Sequence, residues 1–182
     1  MEIQDLIKKL NRAGNAMAAG ANAQSSEAGA DKESLDAIVQ LVSFMLEEVE
    51  YGIDILAVHE ILRMPEITRL PNTPLYVRGV INLRGNVIPV VDVRERFGLS
   101  RAKITDLTRI IVVEIGEKLV GLLVDNVYQV VRMPEKNIDP PSELIEGVSE
   151  EYIMGIGRLQ DRLIVILNLG NILFAEEEVS CA

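Results

Sequence analysis

Few residues in this chain are of the kinds that make or break covalent bonds. It has one histidine and one cysteine, and His59 stands 122 positions from Cys181. A Cys/His nucleophilic pair would therefore need an improbable closure with a residue one place from the end of the chain. Zinc sites take three or four clustered Cys, His or carboxylate ligands, and the sequence cannot supply the Cys and His they need. Glu47, Glu48 and Glu50 fall in an expected turn and Glu176–Glu178 in the tail, where solvation explains them. The one G-x-G, Gly155-Ile156-Gly157, lacks a third glycine and sits within a strand pair, so it does not open a dinucleotide-binding helix. No P-loop string is present. The expectation is a protein without catalytic residues, metal or cofactor.

Two charged residues stand in unusual company. Arg84 occupies the turn NLRG between strongly apolar strands, and Glu60 lies beside Val58 and Ile61 on a segment with little core left to cover. His59, next to them, reads as an exposed polar residue. Neither charge suggests chemistry by itself. Both suit contact with another protein.

The frame that positions them is written twice. YGIDILAVHEILRMP, from Tyr51 to Pro65, is echoed by LVGLLVDNVYQVVRMP, from Leu119 to Pro134, at an offset of 69. YVRGVINLRGNVIPVVDV, from Tyr76 to Val93, returns as YIMGIGRLQDRLIVILNL, from Tyr152 to Leu169, at an offset of 76, so the second copy holds seven extra residues. A chain built this way more often displays binding surfaces than one catalytic pocket. At the turn where the first copy has Arg84, the second has Gln160 and Asp161, a difference free to serve a partner.

The 182 residues are 48% apolar, with three Phe, four Tyr and no Trp, so aliphatic β-branched cores and sheet are expected. A formal net charge of -10 argues against a nucleic-acid surface. The lone cysteine fits a reducing compartment. Nothing resembles a signal peptide or a membrane span, so a cytoplasmic protein without direct membrane insertion is expected.

Along the chain, Ile3, Leu6, Ile7 and Leu10 form a helical stripe, and Ala13 to Ser34 reads as a linker, making 1–37 an N-terminal extension. The body is 38–174, with repeat copies at about 41–99 and 108–174, and 175–182 is an acidic tail. Within the body LVSFML and YGIDIL pair across EEVE. AVHEILRM is expected to form a short helix ended by Pro65, although its β-branched counterpart NVYQVVRM suits an extended chain equally. VRGVINL and VIPVVDV pair around Arg84-Gly85-Asn86, where the Gly-Asn pair supplies the positive φ angles, and the last hairpin turns at Gln160-Asp161. Pro89 marks an edge or a bulge. Four or five short strands per module favour small closed barrels, two of them in tandem.

The segments YGIDILAVHEI, TPLYVRGVINLRGNVIPVVDVRERFG, VGLLVDNV and LQDRLIVILNL together resemble the CheW family of bacterial chemotaxis adaptors, over roughly Ile38 to Phe174. The resemblance implies an all-β fold of two small SH3-like five-stranded barrels, intertwined, with a hydrophobic groove at their junction. It implies an adaptor bridging the cytoplasmic tip of chemoreceptors to the regulatory domain of the histidine kinase CheA, recruited to membrane receptor arrays. Carried over residue by residue, the receptor-binding positions would be Val58, Glu60, Ile61 and Arg84, with Ile110 nearby, while kinase contacts would use exposed barrel ends. Where the family often has another polar residue before the glutamate, this chain has His59. A CheW-like scaffold for a different chemosensory pathway, such as surface motility or development, is the alternative. A hydrolase or transferase using surface carboxylates, a receiver-fused relative such as CheV, and a kinase all fit less well.

Overall fold

The computed structural model describes residues 37–101, 103–141 and 148–174. The expected N-terminal helix, the linker and the acidic tail lie outside these described residues. The chain divides into two units, Met1–Ala37 and Ile38–Ala182, and all that follows concerns the second.

Eleven strands and two short helices are formed by the described residues. They are β1 (Ile38–Leu46), β2 (Val49–Asp54), β3 (Val58–Arg63), β4 (Val77–Leu83), β5 (Asn86–Asp92), α1 (Val93–Arg96), β6 (Arg109–Ile115), β7 (Lys118–Val124), β8 (Asn126–Pro134), β9 (Ile138–Asp139), β10 (Ile153–Leu159), β11 (Arg162–Leu167) and α2 (Leu169–Phe174). They make two sheets, ordered β8-β1-β2-β11-β10-β9 and β3-β6-β7-β5-β4. The fold is all-β, two small SH3-like barrels, with the two-residue β9 added to one of them.

The two sheets do not coincide with the two sequence copies. The hairpin that opens the first copy, β1–β2, lies in the sheet that β10 and β11 complete, and the hairpin that opens the second, β6–β7, lies with β4 and β5. Both seams are parallel, pairing Ile166 with Gly52 and Val90 with Gly121. These two pairs are one pair under the repeat, because Val90 and Ile166 differ by 76 positions and Gly52 and Gly121 by 69. The tandem arrangement expected from chain order is thus an exchange of hairpins.

Three cores follow from this exchange. Ile81, Ile88, Val90, Ile110, Val112 and Leu123 fill one barrel, and Leu41, Val131, Met133, Ile164 and Ile166 fill the other. Between them runs a shared core that takes the alternate residues of the same strands, such as Ile111 and Val113 of β6 and Val165 and Leu167 of β11. Strands buried on both faces read as continuous apolar runs, which is why RIIVVEI and LIVIL show no alternation. The barrels are aliphatic as expected, but the aromatics gather at the junction. Ring centroids step from Phe44 to Tyr51 at 6.1 Å, to Phe97 at 5.6 Å and to Tyr152 at 5.7 Å.

The short helix expected in AVHEILRM is absent. Ile55–Ala57 make one 3₁₀ turn, with the Asp54 carboxylate accepting from the Leu56 N–H, and Val58–Arg63 then run as β3. Pairing with β6 supplies backbone partners that a two-turn helix would lack, and Val58 and Ile61 favour extended χ1-restricted backbone. The repeat was the better guide, since the β-branched counterpart is strand β8. The turn NLRG also differs in detail: the positive φ angles fall on Arg84 (51°) and Gly85 (89°), and Asn86 already belongs to β5. Pro89 sits on β5 just before its pairing with β7 begins at Val90, where no donor is required of it.

Gly79 marks a bulge in β4, with φ at +143°, and a Cβ there would stand 2.1 Å from the Thr68 carbonyl oxygen. That carbonyl accepts from the Val80 N–H at 2.8 Å, strapping the β3–β4 connection to the sheet. Gly79→Ala should cost more than about 3 kcal/mol, through steric overlap plus backbone strain, read as a lowered urea midpoint. Burial, and secondly the Glu47 carboxylate, raise the Tyr51 phenol above its ordinary range. A phenol that holds its proton longer in the folded chain contributes stability below the unfolded pKa of about 10, and that contribution is lost as pH rises beyond it. Tyr51→Phe should therefore flatten the fall in stability above about pH 10 in denaturant titrations.

Candidate protein-docking surface

Glu60 and Arg84, 24 positions apart, meet across one end of the β3-β6-β7-β5-β4 sheet. Arg84 Nη1 lies 3.3 Å from Glu60 Oε1 and Nη2 donates to Oε2 at 3.4 Å, a two-pronged arrangement in which the arginine side chain is 75% exposed and the glutamate 22%. The turn that lifts Arg84 is held from below, where the Asn82 side-chain oxygen accepts the Gly85 N–H at 2.9 Å. Two apolar side chains near the pair in the chain are exposed, Ile61 on β3 directly after Glu60 and Val87 on β5 three residues after Arg84, at 43% and 68%. His59 sits at a register shift in β3, its Nε2 3.9 Å from Glu60 Oε1 and its Nδ1 4.0 Å from Glu114 Oε2 on β6.

Of the carried-over positions, Glu60 and Arg84 form this pair, while Ile61 is exposed on the opposite face of β3, in register with Ile111 where Glu60 is in register with Val112. Val58 is half-buried and packs against the shared core. Ile110 needs correction. It is 0% exposed, inside the barrel core and paired with Leu62 of β3, so it supports the surface from within and cannot touch a partner directly. The junction, where a hydrophobic groove was expected, is occupied by the shared core, and a small cleft beside it is lined largely by charged side chains, Arg78, Asp92, Arg94 and Asp125 among them.

Those charges form a network that residue-by-residue reading passed over. The Asp92 carboxylate accepts from the Arg94 and Glu95 N–H groups as the cap of α1 and takes a hydrogen bond from Arg78 Nε at 2.9 Å. Arg94 then reaches three ways: Nη1 to Asp125 Oδ2 at 2.8 Å, Nη2 to Glu47 Oε1 at 2.7 Å, and Nε to the Ser100 carbonyl at 2.7 Å. Glu47 turns the β1–β2 hairpin and Asp125 links β7 to β8, so one guanidinium ties both sheets. Arg96 lies 4.5 Å from the ring centre of Tyr76 and 5.3 Å from that of Tyr152, two residues equivalent under the repeat, and its Nε donates to the Ile172 carbonyl at 2.9 Å. The signal was present in DVRER, four charges of which the first ends a buried strand and the other three follow it.

The second copy carries different residues at the equivalent positions. Gln129 of β8 stands where the first copy has Glu60, and Arg162, at the start of β11, lies over the Tyr128 ring at 5.4 Å and 3.4 Å from Glu50. Nothing in either surface is arranged for bond chemistry, and no group of three His, Cys, Asp or Glu suited to a metal occurs among the described residues.

The family model for the CheW-like domain matches residues 40–177. The chain belongs to the CheW family. It is 36% identical over 138 residues to the chemotaxis protein CheW of Klebsiella aerogenes, covering 76% of this chain and 83% of that one. It is 36% identical over 148 residues to the chemotaxis protein CheW of Helicobacter pylori, covering 81% and 89%. The crystal structure of the scaffolding protein TtCheW from Thermoanaerobacter tengcongensis superposes with a TM-score of 0.70 at 38% identity, over 74% of this chain and 91% of that one. In this CheW-like chain the two barrels are the framework, and Glu60, Ile61, Arg84 and Val87 are what it displays.

Exposed ion pairs contribute little to folding, so the Glu60–Arg84 pair is expected to hold side-chain direction more than stability. A double-mutant cycle with Glu60→Gln and Arg84→Gln should give a coupling below about 1 kcal/mol in chemical denaturation. Arg94→Met should cost about 2–4 kcal/mol in the same assay, because it strands Asp125 and Glu47 beside a buried site.

Proposed function

We propose that this protein is a non-enzymatic adaptor that couples chemoreceptors to the histidine kinase CheA. Membership of the CheW family over nearly the whole described body supports this reading, and the related proteins are named for chemotaxis and scaffolding. They favour a chemotaxis circuit over a different chemosensory pathway. The adaptor works in the cytoplasm, at receptor arrays on the membrane. No helix of the described residues is long and apolar enough to cross a membrane.

The observation that carries the reading is the Glu60–Arg84 pair at one sheet end of a chain that also exposes Ile61 on β3 and Val87 on β5. Apolar side chains on such a face supply contact area, and the charges set orientation and reject mismatched partners more than they add affinity. The receptor tip docks on Ile61, Arg84, Val87 and the rim of Glu60, with Val58 and Ile110 as the packed support beneath. The regulatory domain of CheA takes an exposed barrel end.

Arg84→Glu sets a second carboxylate against Glu60, whose side chain is 22% exposed, without touching a core. Its circular dichroism should match the parent and its melting temperature should fall by no more than a few degrees, while receptor-dependent CheA phosphorylation in a reconstituted assay falls at least tenfold. Full stimulation by the folded variant would remove Arg84 from the docking surface.

A further inference from the structure

We infer that Asn82 is a positioning residue of the docking surface: by accepting the Gly85 N–H it fixes the tip of the β4–β5 hairpin, and through that tip the direction in which Arg84 is presented to a partner. The inference rests on the reading that the Glu60–Arg84 pair docks a partner, and it adds the residue that aims one member of that pair.

The tip is a demanding piece of backbone. Arg84 has φ at 51° and Gly85 at 89°, two consecutive positive values of the kind a tight two-residue hairpin turn requires. Glycine enters that region freely, whereas an arginine does so against its own preference. At the β1–β2 and β10–β11 turns Glu47 and Gln160 also stand at positive φ, 57° and 53°, but Glu48 and Asp161 do not follow them there. The second copy therefore lacks this tip. It also lacks both residues that the hydrogen bond joins, since Arg158 and Asp161 occupy the places of Asn82 and Gly85, and Arg158 turns to the Asp139 carboxylate instead.

Sterics do not confine Gly85, because even a Cβ built there would meet nothing within 4 Å. The confinement comes from Asn82, whose side-chain oxygen accepts the Gly85 N–H at 2.9 Å. Such a bond forms only while that amide faces back over β4, so it selects one setting of a residue that has many. The ion pair to Glu60 cannot do this in its place. Its arginine is 75% exposed, and contacts of that kind are too weak to hold a long side chain on a moving base. Asn82 itself is exposed on β4, in register with Val87, so its replacement opens no core.

The test uses the full chain with Asn82→Ala, with Asn82→Asp, which keeps an acceptor oxygen, and with Arg84→Gln alone and combined with Asn82→Ala. Nitrogen relaxation of the Arg84 Nε–H in the free protein should show lower order in Asn82→Ala and parental order in Asn82→Asp. The melting temperature of Asn82→Ala should stay within about 4 °C of the parent, the shift that one exposed hydrogen bond supports in a chain of this size. Affinity for a fragment of a chemoreceptor cytoplasmic tip should fall about fivefold in Asn82→Ala and stay parental in Asn82→Asp. In the Arg84→Gln background Asn82→Ala should cost nothing further, because it acts through Arg84. Losses that add in the double variant, an Arg84 Nε–H that ignores Asn82→Ala, or a melting temperature lowered by more than about 8 °C would overturn the inference. If Arg84→Gln binds as the parent does, the docking reading fails instead, and the relaxation of the free chain then decides whether Asn82 aims Arg84.

Discussion

The two parallel seams, β2 against β11 and β5 against β7, are the constraint on which everything else rests. A hairpin alone buries one face. Here each opening hairpin lends one face to a barrel interior and the other to the shared core, so no strand of the pair can settle until the other copy has delivered its partner. The reward is aliphatic burial on both faces, worth roughly 1.5–3 kcal/mol for each fully buried Val, Leu or Ile. The barrels cannot drift relative to one another without breaking sheet hydrogen bonds as well as side-chain packing.

The arginines at the junction add direction to that adhesion. Apolar contact has no preferred angle, whereas Arg94 is satisfied only when the β1–β2 turn, the β7–β8 link and α1 stand in one arrangement. Arg96 does the same between Tyr76 and Tyr152. These buried guanidiniums therefore act on specificity of arrangement more than on total stability, and the sheet end that carries Glu60, Ile61, Arg84 and Val87 inherits a fixed orientation. A contact made by so fixed a sheet end costs little ordering of the backbone.

Much of this was legible in the residues, and the exceptions have physical causes. The repeat offsets of 69 and 76 reappear in the register of the seams, and Gln160 takes the left-handed turn position that Arg84 takes in the first copy. Glu60 and Arg84 stood out as charges set in apolar company, but that they pair with each other is shown only by the fold. The helix expected around His59 failed because spacing in a six-residue segment does not separate helix from strand, and neighbouring strand β6 decided the matter. Ile110 was misplaced for a related reason: on a strand buried on both faces, nothing in the local sequence says which way a side chain points. The exchange of hairpins was invisible to chain order, since tandem and exchanged copies share every local pattern, and only the family resemblance implied it. Arg94 and Arg96 went unnoticed because arginine after a strand usually ends in solvent.

The seam between β2 and β11 joins Tyr51 to Val165, 114 positions later in the chain. During synthesis the first half leaves the ribosome with β2 and β5 complete but with neither of their parallel neighbours made. Closure entropy for such distant contacts must be met before packing repays it, so the chain acquires its native order late and almost all at once. Until then two β-edges rich in Val and Ile are open to solvent and to other chains. A protein of this design is most exposed to aggregation in the interval before its last fifteen described residues emerge.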